Sequence, residues 1–268
     1  MKKIIYDLGA GDGENIPYYL LKADIVVAVE ANPKLCQIIK KKFYKEISKK
    51  NLIVENIIIA NEINNLNDVF YVHKHHTLLG QYPKPENRIN DFYTINIKSQ
   101  DIISFIKKYG EAYYIKIDLE NYDNKILEKI LLSKIKFSYL SVEINDNKTI
   151  STLTEIENFN SYKIINGKKI SKYYSNAIIE DKLKKKIKYS FLKNSAGPFG
   201  NDIKGHWMDK KNLLKVIDYA NIGWNDLHVS VYDKAKKNYY NIPECKFKNL
   251  VKFYLKNFLN KILKISFC

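Results

Sequence analysis

The chain has 268 residues, is 46% hydrophobic and carries a formal net charge of +16. That length supports one large domain, or one domain with an appendage, and no stretch approaches the roughly 20 apolar residues that cross a bilayer. Arg88 is the only arginine. Arginine is the side chain suited to paired phosphate and base contacts, so the charge predicts only a general attraction to anionic partners: membrane surface, sugar phosphates or nucleotide-linked substrates.

Ile4 to Tyr6, with Leu8 behind, reads as a buried parallel strand that breaks into Gly9, Gly11 and Gly13 before a helical pattern starts near Glu14. Strand, glycine turn and helix make the first nucleotide site of an open α/β sheet. Gly9 allows a tight turn, and Gly11 and Gly13 let the backbone approach a ligand. Glu14 stands where the dinucleotide fingerprint G-x-G-x-x-G requires glycine. With an acid at Asp7, the turn instead resembles that of class I S-adenosylmethionine methyltransferases, in which such an acid can face the ligand's ammonium group. A second strand, from Ile25 to Val29, ends in Glu30, 23 residues after Asp7. The spacing is close to the ~20 expected of an acid gripping ribose hydroxyls.

Pro33 opens a helix through about Tyr44, with Leu35, Ile38, Ile39 and Phe43 at helical spacing. Leu52 to Ala60 reads as a third strand ending at Asn61 and Glu62. An insertion over about 63–97 follows, with a strand from Val69 to His76 and a partner from Tyr93 to Ile97. Ser99 to Lys107 reads as a helix, Tyr113 to Ile117 as the fourth core strand, Asp123 to Leu132 as a helix, and Phe137 to Val142 as the fifth strand, ending at Glu143. Ligands bind outside the carboxyl ends of such strands, and Asp7, Glu30, Asn61, Asp118, Glu120 and Glu143 form a polar, mostly acidic row there.

Tyr114-Ile115-Lys116-Ile117-Asp118-Leu119-Glu120-Asn121-Tyr122-Asp123 resembles the (F/Y)-(I/L)-K-I-D-(V/L)-E-G-x-E signature of the FkbM-type methyltransferases. Val29-Glu30-Ala31-Asn32-Pro33 is similar to that family's second-strand segment, and Ser141-Val142-Glu143 to its fifth-strand end. Ser195-Ala196-Gly197-Pro198-Phe199-Gly200-Asn201-Asp202-Ile203, with Trp207 behind, resembles a stretch found in a subset. The likeness covers roughly residues 4–232. Asn121 stands where the family usually has glycine, and Asp123 where it has glutamate. Many relatives carry a segment ahead of the first strand, so a substrate lid here is expected from the insertion or from beyond residue 150.

A strand is expected over 161–165, then a lysine-rich stretch without clear pattern to about 190. Asn194 to Met208 reads as an ordered loop, Lys210 to Ala220 as a helix and His228 to Tyr232 as the last strand. Lys246 to Phe267 sets large apolar residues on one face and lysines mostly on the other, a basic amphipathic helix. Packing on its own domain or a second subunit competes there with attachment to an anionic leaflet. Cys36, Cys245 and Cys268 are too far apart for a disulfide framework or a zinc motif. With no export signal, they predict a cytoplasmic protein, at most at the inner face of the membrane.

The expected fold is α/β, a class I methyltransferase core with a doubly wound, mainly parallel seven-stranded sheet. Residues 1–235 form the catalytic domain, with an acceptor-side extension over about 166–210, and 236–268 form the basic appendage. The resemblance implies S-adenosylmethionine as cofactor, held by Asp7, Gly9, Ala10, Gly11, Asp12, Gly13, Glu30, Ala31, Asn32, Asn61 and Asp118. It also implies an oxygen acceptor, a hydroxyl on a sugar or glycan precursor, free or linked to a nucleotide or lipid. A hydroxyl needs a base or metal to react. His75, His76 and His206 are the candidate bases, Asp118 and Glu120 are expected to line the methionine end of the cofactor and orient the acceptor, and a divalent metal on Asp118, Glu120 and Glu143 is the less favoured arrangement. Ribose methylation of RNA, or a peripheral membrane protein with a vestigial cofactor site, are the alternatives.

Overall fold

The computed structural model describes residues 2–62, 67–156, 159, 161–217, 224–237 and 239. In chain order the first elements are β1 (Ile4–Leu8), α1 (Ile16–Lys22), β2 (Ile25–Val29), α2 (Pro33–Lys42), α3 (Tyr44–Ser48), β3 (Leu52–Glu55) and β4 (Ile58–Ala60). Then come β5 (Asn67–His73), β6 (Phe92–Asp101), α4 (Ile102–Tyr109), β7 (Ala112–Ile117), α5 (Asp123–Leu131), β8 (Phe137–Glu143) and α6 (Asn147–Glu155). The last are β9 (Tyr162–Asn166), α7 (Ile170–Tyr173), β10 (Ala177–Glu180), β11 (Lys186–Tyr189), α8 (Lys210–Ile217) and β12 (Asn225–Ser230).

Seven strands form one sheet in the order β3-β2-β1-β7-β8-β12-β9. The first five pair in parallel, and β12 runs antiparallel to both β8 and β9. This is the doubly wound class I methyltransferase sheet, with its switch point between β1 and β7. Alternation along the strands feeds two cores. Tyr6, Leu8, Ile115 and Leu140 pack with α4, α5, α6 and α8 on one face. Ile5, Val26, Ala28 and Tyr114 pack with α1, α2 and Phe199 on the other. Burial on both faces is why the parallel strands read as continuous apolar runs.

Several expectations shift. The third core strand stops at Glu55, because the Asn56 side-chain amide donates to the backbone oxygens of Glu30 and Ala31, 2.9 Å each, and turns the chain out of the sheet. The residues after it, as β4, join β6 and β5 in a separate three-stranded sheet. Helix α4 starts at Ile102 rather than Ser99, since the Asp101 carboxylate caps it by accepting from Ser104 N at 2.8 Å. The lysine-rich stretch contains a hairpin of β10 and β11, and α3 and α6 also went unpredicted.

The loop from Ser195 to Ile203 is a structural clasp. Asn15 Oδ1 accepts from Ser195 Oγ and Ala196 N, Tyr18 OH accepts from Phe199 N, and Asp202 pairs with Lys22 at 2.8 Å. The Phe199 ring stacks on Tyr114 with centroids 4.0 Å apart. Burying that ring contributes about 2–3 kcal/mol and ties α1, and with it the glycine turn, to the sheet.

Cys36 is buried and free. The other two cysteines, the end of the predicted helix through Ala220 and the basic segment over 246–267 lie outside the described residues. Among the described residues, no helix is long and apolar enough to cross a membrane.

Candidate functional site

A cavity of about 520 Å³ opens at the carboxyl ends of β1, β2 and β7, within the ~300–1,000 Å³ usual for cofactor sites. The turn after β1 forms its base. Gly9 N and Ala10 N donate to Val29 O at 3.0 and 2.9 Å, binding the turn to β2. Gly9 has φ +82, and a Cβ there would sit 1.8 Å from Asp118 O. Only glycine fits between these two strand ends.

Glu30 braces the turn from the other side. Its carboxylate accepts from Gly11 N and from Asn32 N, both at 2.8 Å. Burial raises its pKa to about 7, against the pull of those two amides. Each oxygen keeps a further lone-pair site for a hydroxyl donor.

Beneath the turn lies a charge pair that sequence reasoning did not single out. Lys116, the penultimate residue of β7, is buried with its ammonium 2.8 Å from Asp118 Oδ2 and 3.5 Å from Asp7 Oδ1. Burial alone would lower the Lys116 pKa; the Asp118 and Asp7 carboxylates outweigh it and raise the value. Asp7 is fully buried and its pKa is pushed up to about 6 by that burial, with Lys116 opposing. A charged residue inside a fully apolar strand was the signal, since it must have a partner.

Asp7 therefore faces Lys116 from inside the sheet and does not line the cavity, because residue 7 points to the α1 face below the rim. Gly9, Ala10, Gly11, Asp12, Glu30, Ala31 and Asp118 do line it. Gly13, Asn32 and Asn61 sit behind the wall. Gly13 packs on Ile39 and Phe43, Asn32 caps α2, and Asn61 hydrogen-bonds Tyr122 OH. Glu120 and Glu143 line the cavity with Asp118. Burial, then Asp118 and Glu143, raises the Glu120 pKa to about 8. Burial, then Asp118 and Asp123, raises that of Glu143 to about 7. Among the described residues, no three His, Cys, Asp or Glu side chains are placed to hold a metal ion.

The predicted histidines are elsewhere. His75 and His76 are exposed, their backbone amides donating to His73 Nδ1 at 3.1 and 3.2 Å. His206 packs edge-on against Tyr239, its centroid 5.1 Å away. None of the three lines the cavity. The insertion instead supplies Phe70, Leu78, Leu79, Gly80 and Tyr82, and the chain beyond residue 150 supplies Asn194 and Trp224. No motif marks these; only the sheet topology brings them to the rim.

Residues 7–165, more than half of the chain, match the FkbM methyltransferase domain. The chain belongs to the FkbM methyltransferase family. Among solved structures it is similar to the FkbM methyltransferase of Methylobacillus flagellatus KT, at 15% identity and TM-score 0.34 over 53% of this chain and 32% of that one. It is also similar to M. capricolum TrmK in complex with S-adenosylhomocysteine, at 14% identity and TM-score 0.39 over 98% of this chain and 80% of that one. The chain spans about a third of the length of the Methylobacillus protein. A search of curated proteins returned no match.

Membership implies S-adenosylmethionine, and the cavity fits it. Its lining carries six carboxyl side chains (Asp12, Glu14, Glu30, Asp118, Glu120, Glu143) and one cation, Lys116, already paired with Asp118 and Asp7. In a chain of net charge +16, that acidic surplus suits a ligand with a sulfonium and an ammonium group. A pyrophosphate would meet that acidic surplus with no unpaired cation among the described lining residues to balance it. Ile57, Ile58, Ile59 and Phe70 supply an apolar wall for an aromatic base.

The family's glycine position also has its explanation here. Asn121 has φ +74 and Glu120 φ +48. Glycine enters that left-handed region freely, and asparagine is the side chain that best replaces it.

Proposed function

We propose that the chain transfers a methyl group from S-adenosylmethionine to a hydroxyl of a sugar or glycan precursor, with Glu120 as the base. The observation that carries this reading is the position of Glu120, on the cavity wall beside Asp118 and Glu143, with a pKa that burial and those carboxyls raise to about 8. Bound S-adenosylmethionine supplies an electrophilic methyl group on a positively charged sulfur. Glu120 would be held ionised beside a bound sulfonium, because a nearby positive charge favours the carboxylate form. The ionised carboxylate accepts the acceptor's hydroxyl proton as the new C–O bond forms and the C–S bond breaks. Glu30 and the Gly9–Gly11 backbone would hold the nucleoside end, and Asp118 and Glu143 would face the cationic end.

The acidic lining supports a sugar hydroxyl over RNA ribose, since phosphates would be repelled. In this reading residues 1–235 are the catalytic domain. The test is transfer of labelled methyl to glycan fractions. Label in a base-stable ether, abolished by Glu120→Gln with S-adenosylmethionine affinity retained, is the expected result. Label in a base-labile ester or on an amine, or full activity of Glu120→Gln, would overturn the assignment.

A further inference from the structure

A second chamber of about 590 Å³ adjoins the cofactor cavity, walled by the insertion on one side and by the starts of α5 and α6 on the other. Leu79, Tyr82, Glu120 and Asn145 line both spaces. A molecule in the second chamber can therefore present one atom across Glu120 to the first. We propose that this chamber holds the acceptor and selects a polyhydroxylated molecule bearing no phosphate at the methylated unit. The inference rests on the methyltransferase reading above and adds the place and the charge of the substrate.

Charge decides the class. Among the described residues the lining carries five carboxyl side chains, Glu86, Asp91, Glu120, Asp123 and Asp146, against two cations, Lys84 and Arg88. Lys84 and Arg88 belong to the exposed outer loop, where Glu86 and Asp91 offset them. A phosphate close to the reacting hydroxyl would face the Glu120 and Asp123 carboxyls at the cost of its hydration. Hydroxyl groups find the opposite environment, because carboxylates and side-chain amides accept and donate to vicinal hydroxyls. Asn124, on the same wall, has both amide atoms shut from solvent with no hydrogen-bond partner. An unpaired buried amide is costly, and a small turn of this side chain toward the chamber would give it hydroxyl partners.

The experiment uses the full chain loaded with S-adenosylhomocysteine, which blocks turnover. Saturation-transfer NMR then compares methyl glycosides of glucose, galactose, mannose, fucose and rhamnose with the corresponding sugar 1-phosphates and a short oligoribonucleotide. At least one methyl glycoside binds, and its 1-phosphate binds about tenfold or more weakly. Asp146→Asn keeps the α6 cap and narrows that ratio by about threefold, as fits a solvent-exposed charge. Asn124→Leu melts no lower than the parent, since it removes an unpaired amide, yet weakens the glycoside about tenfold. No glycoside binding to the loaded protein, equal or better binding of the 1-phosphate or oligonucleotide, or an unchanged ratio in Asp146→Asn would overturn the proposal. Failure to load S-adenosylhomocysteine at all would remove the methyltransferase reading first, and this proposal with it.

Discussion

Replacing Glu30 by alanine removes two things at once, and the structure separates their sizes. The carboxylate accepts two backbone N–H groups at 2.8 Å, and hydrogen bonds to charged groups contribute about 1.5–3 kcal/mol each. With its pKa raised to about 7, Glu30 is only partly ionised near neutrality, so about 1.5 kcal/mol per bond is the better figure. Glu30→Ala should then lose about 3 kcal/mol, which for a chain of this size is roughly 6–12 °C in Tm. Glu30→Gln keeps one acceptor oxygen and should lose about half as much. Both variants should bind S-adenosylmethionine at least about tenfold more weakly, because the ribose hydroxyls lose a buried acceptor. Scanning calorimetry through the melt, and titration calorimetry at a temperature well below it, both at pH 7, give the two numbers independently. A Glu30→Ala protein that melts within about 2 °C of the parent and binds the cofactor equally well would refute the reasoning.

Three further outcomes follow from the same geometry. Lys116→Met leaves Asp7 buried without its cation and should destabilise by about 3–5 kcal/mol; the double variant with Asp7→Leu should recover most of that in denaturant unfolding, and an additive cycle would contradict the pairing. Asn121→Gly should be neutral or stabilising, and Asn121→Val should cost about 2 kcal/mol, as read by thermal melts. Glu120 binds a proton more tightly when folded, its pKa rising from 4.5 to about 8. Its contribution to stability is therefore lost progressively as pH rises through that window. Glu120→Gln should flatten the decline in a pH series of melts, and an unchanged slope would place the proton elsewhere.

The sheet was legible because its signals are local. An apolar run that ends in glycines, or in an acid before a proline, states both a strand and its functional end, as at Gly9 and at Glu30-Ala31-Asn32-Pro33. The Asp118 segment was legible for the same reason. What failed depends on partners distant in sequence. Asp7 was expected at the rim because its strand ends there, and the pleat instead turns it inward onto Lys116. The histidines were chosen by chemistry alone, and nothing in their spacing fixes where an exposed insertion carries them. The Ser195–Ile203 loop carries a distinctive pattern because it must fit Asn15, Tyr18 and Tyr114, so its signal was structural. The hairpin of β10 and β11 was missed although Lys186-Ile187-Lys188-Tyr189 alternates with its lysines exposed, because so short a run inside a lysine-rich stretch is a weak strand signal.

The central claim is that the acidic cavity at the strand ends takes a cationic nucleoside in place of a dinucleotide. Titration calorimetry of the unaltered chain with S-adenosylmethionine, S-adenosylhomocysteine and NAD tests it directly. Micromolar binding of the first two, with no heat from NAD, is the predicted result. Binding of NAD in preference, or no binding of S-adenosylmethionine, would contradict the account at its base.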